Sequence, residues 1–271
     1  MKVKHIWLII LLTVLFLLFA SLPRNCYYEG LNDSINEKIF VINLDKDKRR
    51  YKEFQENYKQ TDFANLSYTR FSGVNGKDED PNNWLAEHAM SEFNEVNNNG
   101  FRTKHHQLTY GGLGCFLSHY RIIEQLNRES NEDIQYIIFE DDIKPNRNAK
   151  SKLYKFIQQA PEDWDVLVFQ TCKSKGKNVN KHFKKLNSFW GMGLNVINKK
   201  GAKKIADELN VNKIDGQIDS YLSRMSIQGK LNVYGCNDSI TQDNSKNESN
   251  IQTPLIETQG VNPDDYFGIM M

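Results

Sequence analysis

The run Tyr136-Ile-Ile-Phe-Glu140-Asp141-Asp142 constrains this chain more than any other segment. Aromatic and β-branched residues without a polar interruption suit a strand covered on both faces, as in the sheets of α/β proteins. The strand then runs into three consecutive carboxylates, whose mutual repulsion a cation would relieve. In open α/β sheets, ligands bind just outside the carboxyl ends of the strands. The segment therefore predicts a buried strand with a cation site at its end. Side chains alternate in direction along a strand, so Glu140 and Asp142 are expected to face one way and hold the metal, with Asp141 close by. Oxygen ligands suit Mn²⁺ or Mg²⁺, which also bind phosphate oxygens. The residues alone leave a solvated acidic turn as the alternative.

The rest of the chain supports an α/β reading. Lys38 to Leu44 is another apolar run. It is followed by the charged stretch Asp45 to Tyr58, with Tyr51, Phe54 and Tyr58 at helical spacing. Strand followed by amphipathic helix is the opening of an α/β unit. Further strands are expected at Tyr68 to Val74, Asp165 to Gln170 and Phe189 to Ile197. Helices are expected over Leu113 to Leu126, Lys152 to Gln159, Lys200 to Leu209 and Asp215 to Met225. Asp78 to Leu108 reads as irregular, with a loop at Asn97-Asn98-Asn99-Gly100, and the tail after Asn237 as a polar surface segment. No repeat or low-complexity linker divides residues 38–271, which read as one domain.

Ahead of that domain lies an apolar run from Ile6 to Leu22, preceded by Lys2 and Lys4. Seventeen residues span roughly 25 Å as a helix, the short end of a bilayer crossing. Residues 1–24 are expected to be a cytoplasmic tip and signal-anchor, and residues 25–37 a stem. The catalytic part would then be lumenal or extracytoplasmic, as in a single-pass type II membrane protein. A cleaved signal peptide ending near Phe19-Ala20-Ser21 is the rival. Four cysteines and four Asn-x-Ser sequons, at Asn32, Asn65, Asn237 and Asn247, are compatible with that route. A net charge of +1 gives no general attraction to nucleic acid.

Several segments, in order, resemble glycosyltransferase family 25, the lipooligosaccharide galactosyltransferases and collagen galactosyltransferases. They are Val41-Ile-Asn-Leu-Asp45 with Arg49 and Arg50, Phe71-Ser-Gly-Val-Asn-Gly76, Gly114-Cys-Phe-Leu-Ser-His119 and Ile138-Phe-Glu-Asp-Asp142. Gly191-Met-Gly-Leu-Asn-Val-Ile197, Gly201-Ala202, Ile218-Asp219, Gln242 and Ser249-Asn-Ile251 follow. The resemblance implies a GT-A-like, Rossmann-type single domain, a UDP-sugar donor, galactose as the first sugar to try, a divalent metal and inversion at the anomeric carbon. The acceptor would be a hydroxyl on a glycan, a lipid-linked glycan or a protein. The resemblance places Asn43, Leu44 and Arg49 near the nucleotide and brings Ser118 and His119 to the site. Gly112 stands where the family often has Glu, and Ile122 or Ile123 where many members have Trp, so the acceptor pocket is expected to differ.

Other residues carry expectations of their own. Gly191 and Gly193 would let backbone approach the sugar. Asp215 and Asp219, four apart, would share one helix face. Asp219 is then the candidate general base, and Asp141 the second candidate catalytic carboxylate. Arg49 or Arg50 would pair with phosphate or lie on a helix surface. Cys115 reads as a small buried residue, and His105 and His106 as loop residues whose rings diverge. A glycosyltransferase-like domain that binds glycans or partners without turnover is the alternative function.

Overall fold

The structure is a computed structural model that describes residues 35–104 and 106–242, together with Pro254. The folding unit begins at Asn36. The apolar run Ile6 to Leu22, Cys26, most of the stem, His105, the sequons at Asn32 and Asn247, and Ser249 to Ile251 lie outside the described residues. Among the described residues, no helix is long and apolar enough to cross a membrane.

The described residues form ten strands and seven α-helices. The strands are β1 (Glu37–Asn43), β2 (Thr69–Ser72), β3 (Gln135–Glu140), β4 (Lys144–Pro145), β5 (Val166–Gln170), β6 (Lys173–Asn178), β7 (Phe183–Trp190), β8 (Leu194–Asn198), β9 (Val233–Cys236) and β10 (Thr241–Gln242). The helices are α1 (Lys48–Lys59), α2 (Pro81–Trp84), α3 (Glu87–Asn99), α4 (Tyr110–Asn127), α5 (Ala149–Gln158), α6 (Lys199–Val211) and α7 (Ile218–Ile227). Eight strands form one sheet in the order β2-β1-β3-β8-β5-β9-β7-β6, and β4 pairs with β10 apart from it.

The sheet is mixed. β1 runs parallel to β2 and β3, and β5 parallel to β9, whereas β8 lies antiparallel between β3 and β5. The Rossmann-like parallel arrangement is thus confined to two stretches. The apolar run of β3 is buried from Tyr136 to Phe139, because it is central and covered on both faces. On one face Phe139 meets Phe54 and Phe63 edge-on. The other carries the larger core, where Phe116, Leu117 and Tyr221 are buried with Tyr136 and Ile138.

Four sequence expectations change. Phe189 to Ile197 is two strands, because the chain turns at Gly191, whose φ of 88° lies in the left-handed region. The stretch before Leu108 holds α3, which buries Ala89, Phe93 and Val96. Asn97 to Asn99 therefore form its last turn, with Gly100 as a left-handed cap. Asp215 precedes α7 and pairs with Arg224, so it does not share a helix face with Asp219.

Candidate active site

A cleft of about 540 Å³ opens at the carboxyl ends of β1 and β3. Its walls include Asn43, Leu44 and Arg50, the Gly73 to Lys77 segment, the start of α4, and Cys115, His119, Glu140 and Asp141. The N-termini of α1 and α4 both border it. A helix N-terminus carries unpaired N–H groups and partial positive charge, so this end of the sheet favours an anionic ligand.

The Gly73 to Lys77 wall rests directly on α4. A methyl group on Gly114 would lie 2.4 Å from the Val74 carbonyl oxygen, and one on Gly76 would lie 1.8 Å from that of Tyr110. Only glycine at both positions permits this approach. Ser118 fastens it: its hydroxyl accepts from the Val74 N–H at 2.8 Å and donates to the Gly114 carbonyl at 2.7 Å. The Phe71 to Gly76 and Gly114 to His119 segments are therefore two halves of one contact. Ser118 shapes the cleft through the backbone.

Asn43 is a buried hub at the end of β1. Its amide donates to Asp141 Oδ2 at 2.6 Å and to the Asp47 carbonyl at 3.1 Å. Its side-chain oxygen accepts from Arg70 Nη2 at 2.8 Å. Arg50 Nη2 lies 2.5 Å from Asp141 Oδ1 and 3.1 Å from Asp142 Oδ2. Arg49, one residue earlier, is exposed and pairs with Glu53. The arginine brought to the carboxylates is therefore Arg50, and Arg49 faces away. The phase of α1 accounts for this, since Arg50, Phe54 and Tyr58 are spaced by four and the last two are buried.

The three acidic residues have different partners. Glu140 Oε1 lies 3.1 Å from His119 Nε2 and 3.9 Å from Cys115 Sγ. Asp141 is held by Asn43 and Arg50, and Asp142 by Arg50. Burial raises the Asp141 carboxyl above its ordinary value. Burial and then the charge of Glu140 push Asp142 up to about 7. Burial also keeps the Cys115 thiol well above its usual range, which suits an inert packed residue better than a nucleophile. Among the described residues, Cys115, Cys172 and Cys236 form no disulfide with one another.

On the other side of Glu140 the turn between β7 and β8 closes in. The Glu140 N–H donates to the Gly193 carbonyl at 2.8 Å. A methyl group on Gly193 would strike Ile143 at 2.2 Å and Gln170 at 2.6 Å. Asp219, buried at the start of α7, accepts from the Gly191 N–H at 2.8 Å and from the Ser220 N–H at 2.7 Å. Burial pushes its carboxyl up to about 6 against the pull of those two donors. Gly191, Gly193 and Asp219 thus come together beside Glu140. Like those three residues and Asp142, His106 is not among the residues that line the cleft; it lies near Glu92.

The family model for "Glycosyltransferase family 25 (LPS biosynthesis protein)" matches residues 36–222. The chain belongs to glycosyltransferase family 25. A family 25 member from Anopheles gambiae is 28% identical over 197 residues, covering 69% of this chain and 31% of that protein. Procollagen galactosyltransferase 2 of Homo sapiens is 31% identical over 109 residues, covering 36% of this chain and 17% of that protein. The chain thus matches about a third or less of the length of these relatives. A crystal structure of a glycosyltransferase involved in glycosylation of the major capsid of PBCV-1 aligns with a TM-score of 0.31. It shows 16% identity over 64% of this chain and 66% of that one, a likeness too slight to argue from.

Proposed function

We propose that this family 25 chain is a GT-A-like glycosyltransferase that moves a sugar from a UDP-sugar to an acceptor hydroxyl. UDP-galactose is the first donor to try. The acceptor oxygen attacks the anomeric carbon as the bond from that carbon to the diphosphate oxygen breaks. The acceptor proton passes to a base, UDP leaves, and a single displacement inverts the anomeric centre. One observation carries the reading: the carboxylates of Glu140 and Asp141 meet two helix N-termini in a cleft sized for a small ligand.

The donor atoms that converge within 4.8 Å of one another are those of Cys115, His119 and Glu140; the proposed site for a hard divalent cation such as Mn²⁺ or Mg²⁺ shares Glu140 with them and also draws in Asp142. Glu140 and Asp142 supply oxygen donors, and the charge of Glu140 raises the cost of ionising Asp142. When bound, the cation would supply positive charge to a leaving diphosphate. Leu44, Asn43 and the α1 N-terminus border the proposed nucleotide position. Asn43 orients Asp141, while Ser118 and His119 position the Gly73 wall and Glu140. Asp219 is our candidate base. Its Oδ2 accepts the Gly191 N–H and keeps a second lone pair, its Oδ1 accepts the Ser220 N–H and, at 3.5 Å, the Ser220 hydroxyl, and its carboxyl, at about 6, is poised for proton transfer near neutral pH. The Ile6 to Leu22 run is proposed as the anchor of a type II membrane protein.

Arg50 favours a second reading. Its guanidinium already supplies one positive charge to Asp141 and Asp142, as a binding domain without metal or turnover would need. Melting the full chain with UDP, with and without Mn²⁺, separates the two. Stabilisation by UDP that requires Mn²⁺ supports the transferase. Stabilisation by neither ligand supports the binding module.

A further inference from the structure

Cys115 and His119 stand four residues apart on α4, a spacing that puts both side chains on one face of a helix. Both meet the side chain at the end of β3. Glu140 Oε1 lies 3.9 Å from Cys115 Sγ and 3.1 Å from His119 Nε2, and the three donor atoms all fall within 4.8 Å of one another. Among the described residues, this is the one place where three histidine, cysteine or acidic side chains converge so closely. The His119 side chain is fully buried, that of Glu140 is 20% exposed, and Cys115 is half-buried. All three line the cleft, so an ion reaches them from the space that takes the substrate.

This ligand set differs from that of the neighbouring carboxylates. Oxygen donors alone suit Mn²⁺ or Mg²⁺, whereas a sulfur, an imidazole nitrogen and one carboxylate suit the borderline-soft Zn²⁺. The spacing agrees. Tetrahedral Zn²⁺, with bonds of about 2.3 Å to sulfur and about 2.0–2.2 Å to nitrogen and oxygen, holds its ligands roughly 3.4–3.6 Å apart. The separations of 3.1 and 3.9 Å from Glu140 each miss that range by roughly 0.3 Å. One thiolate and one carboxylate also cancel the double charge of the ion, which limits the cost of holding it out of water. Burial disfavours the thiolate of Cys115 on its own, but a thiol that coordinates a cation is deprotonated outright. His119 Nδ1 is buried without a hydrogen-bond partner, so nothing behind the ring fixes its proton on Nε2. With three protein ligands and no outer partner on Nδ1, the site is open and reversible rather than structural.

We propose that Cys115, His119 and Glu140 form a second cation site, for Zn²⁺, and that Zn²⁺ held there withdraws Glu140 from the Mn²⁺ position and opposes donor binding. The site stands on the geometry of the trio; its inhibitory effect rests on the glycosyltransferase reading. The two ions compete through one carboxylate, which makes the balance of metals a regulator of transfer. A mere packing contact between α4 and β3 would hold no cation, and a spectroscopic signal from sulfur separates the two cases.

Co²⁺ serves as the probe, because a Co²⁺–thiolate bond gives an ultraviolet charge-transfer band. The full chain carrying Cys26→Ser, Cys172→Ser and Cys236→Ser keeps Cys115 as its one thiol. Titrated with Co²⁺, it should show the band, saturating at one ion per chain, and Zn²⁺ should erase it. Absence of the band overturns the site, as does a band of wild-type strength in Cys115→Ala with the other cysteines present. In wild type, Zn²⁺ should remove most of the rise in Tm that UDP gives with Mn²⁺. Cys115→Ser should need more than about 100-fold higher Zn²⁺ for the same effect, since loss of an outer partner alone costs about 10–100-fold. Equal Zn²⁺ potency in wild type and Cys115→Ser overturns the proposal, because it puts the ion on the other carboxylates. So does a UDP–Mn²⁺ response that Zn²⁺ leaves intact. If Cys115→Ser does not fold, Cys115→Ala takes its place, and the band from the chain with one thiol decides the site in either case. A wild type with no UDP–Mn²⁺ response would instead count against the glycosyltransferase reading, with the band still deciding the Zn²⁺ site.

Discussion

Two glycines on α4, two residues apart, should respond oppositely to the same substitution. A Cβ at Gly114 would sit 2.4 Å from the Val74 oxygen and 2.7 Å from the Gly76 nitrogen, where ordinary contact begins at 3.4 Å. About 1 Å of backbone must therefore move, and backbone yields less readily than the end of a side chain. Overpacking of this kind costs about 1–3 kcal/mol. Moving Val74 also breaks its hydrogen bond to Ser118, about 1 kcal/mol more. Gly114→Ala should thus lose roughly 2–4 kcal/mol, or about 4–16 °C in Tm for a domain of this size. At Gly112 the nearest non-local atoms would be Leu108 Cδ2 at 3.4 Å and Thr109 Oγ1 at 3.5 Å, which is ordinary contact. Gly112→Ala should be neutral or gain up to ~1 kcal/mol from helix propensity. Differential scanning calorimetry of both variants decides it. Because the Gly73 to Lys77 segment lines the cleft, Gly114→Ala should also weaken UDP-induced stabilisation. A Gly114→Ala protein that melts within 1 °C of wild type would refute the reasoning, as would equal losses in the two variants.

The remaining predictions concern the carboxylates. Arg50→Met leaves Asp141 and Asp142 without their shared cation and should cost about 3–5 kcal/mol, with Mn²⁺ restoring more stability to the variant than to wild type. Chemical denaturation with and without Mn²⁺ measures it, and equal Mn²⁺ effects would count against a cation at these residues. Asp142 at about 7 and Asp219 at about 6 both lie above the ordinary 3.8, so each favours the fold most when protonated. That contribution is complete below about pH 4 and is lost as pH rises through 6 to 7, by roughly 1.4 kcal/mol per pH unit for each group while it titrates differently in the two states. Stability curves of the metal-free protein between pH 4.5 and 8 should show it, with a shallower slope in Asp142→Asn. Asp219→Asn should lower kcat by about 10²–10⁴ with UDP affinity retained, if Asp219 is the base. A kcat within threefold of wild type would leave Asp219 as a brace for the Gly191 turn.

The strands nearest the cleft were legible because burial on both faces writes itself as an uninterrupted apolar run. β1 and β3 are of this kind, and their register follows from pairing Ile39 with Ile137 and Val41 with Phe139. β6 has no such signal: all six of its residues are polar or glycine and none is buried, so the pairing with β7 decides it. α3 did carry a signal, Ala89, Phe93 and Val96 at helical spacing, but the surrounding asparagines obscured it. Arg50 could have been preferred to Arg49 from the four-residue spacing to Phe54 and Tyr58. The hub at Asn43 and Arg70 was not legible, because it joins residues 27 positions apart through side chains. Nor could sequence show that Glu140 faces His119 while Asp141 and Asp142 share Arg50, since three adjacent carboxylates differ only by local backbone direction.

The central claim is that the cleft beside Glu140, Asp141 and Asp142 supports metal-dependent sugar transfer. UDP release by the full chain, across a panel of UDP-sugars with Mn²⁺ and a mixed glycan acceptor library, tests it most directly. The account predicts release that requires acceptor, is greatest with one sugar, and disappears with EDTA and in Asp142→Ala. Release that survives both EDTA and Asp142→Ala would contradict it, as would no release from a folded protein under any donor.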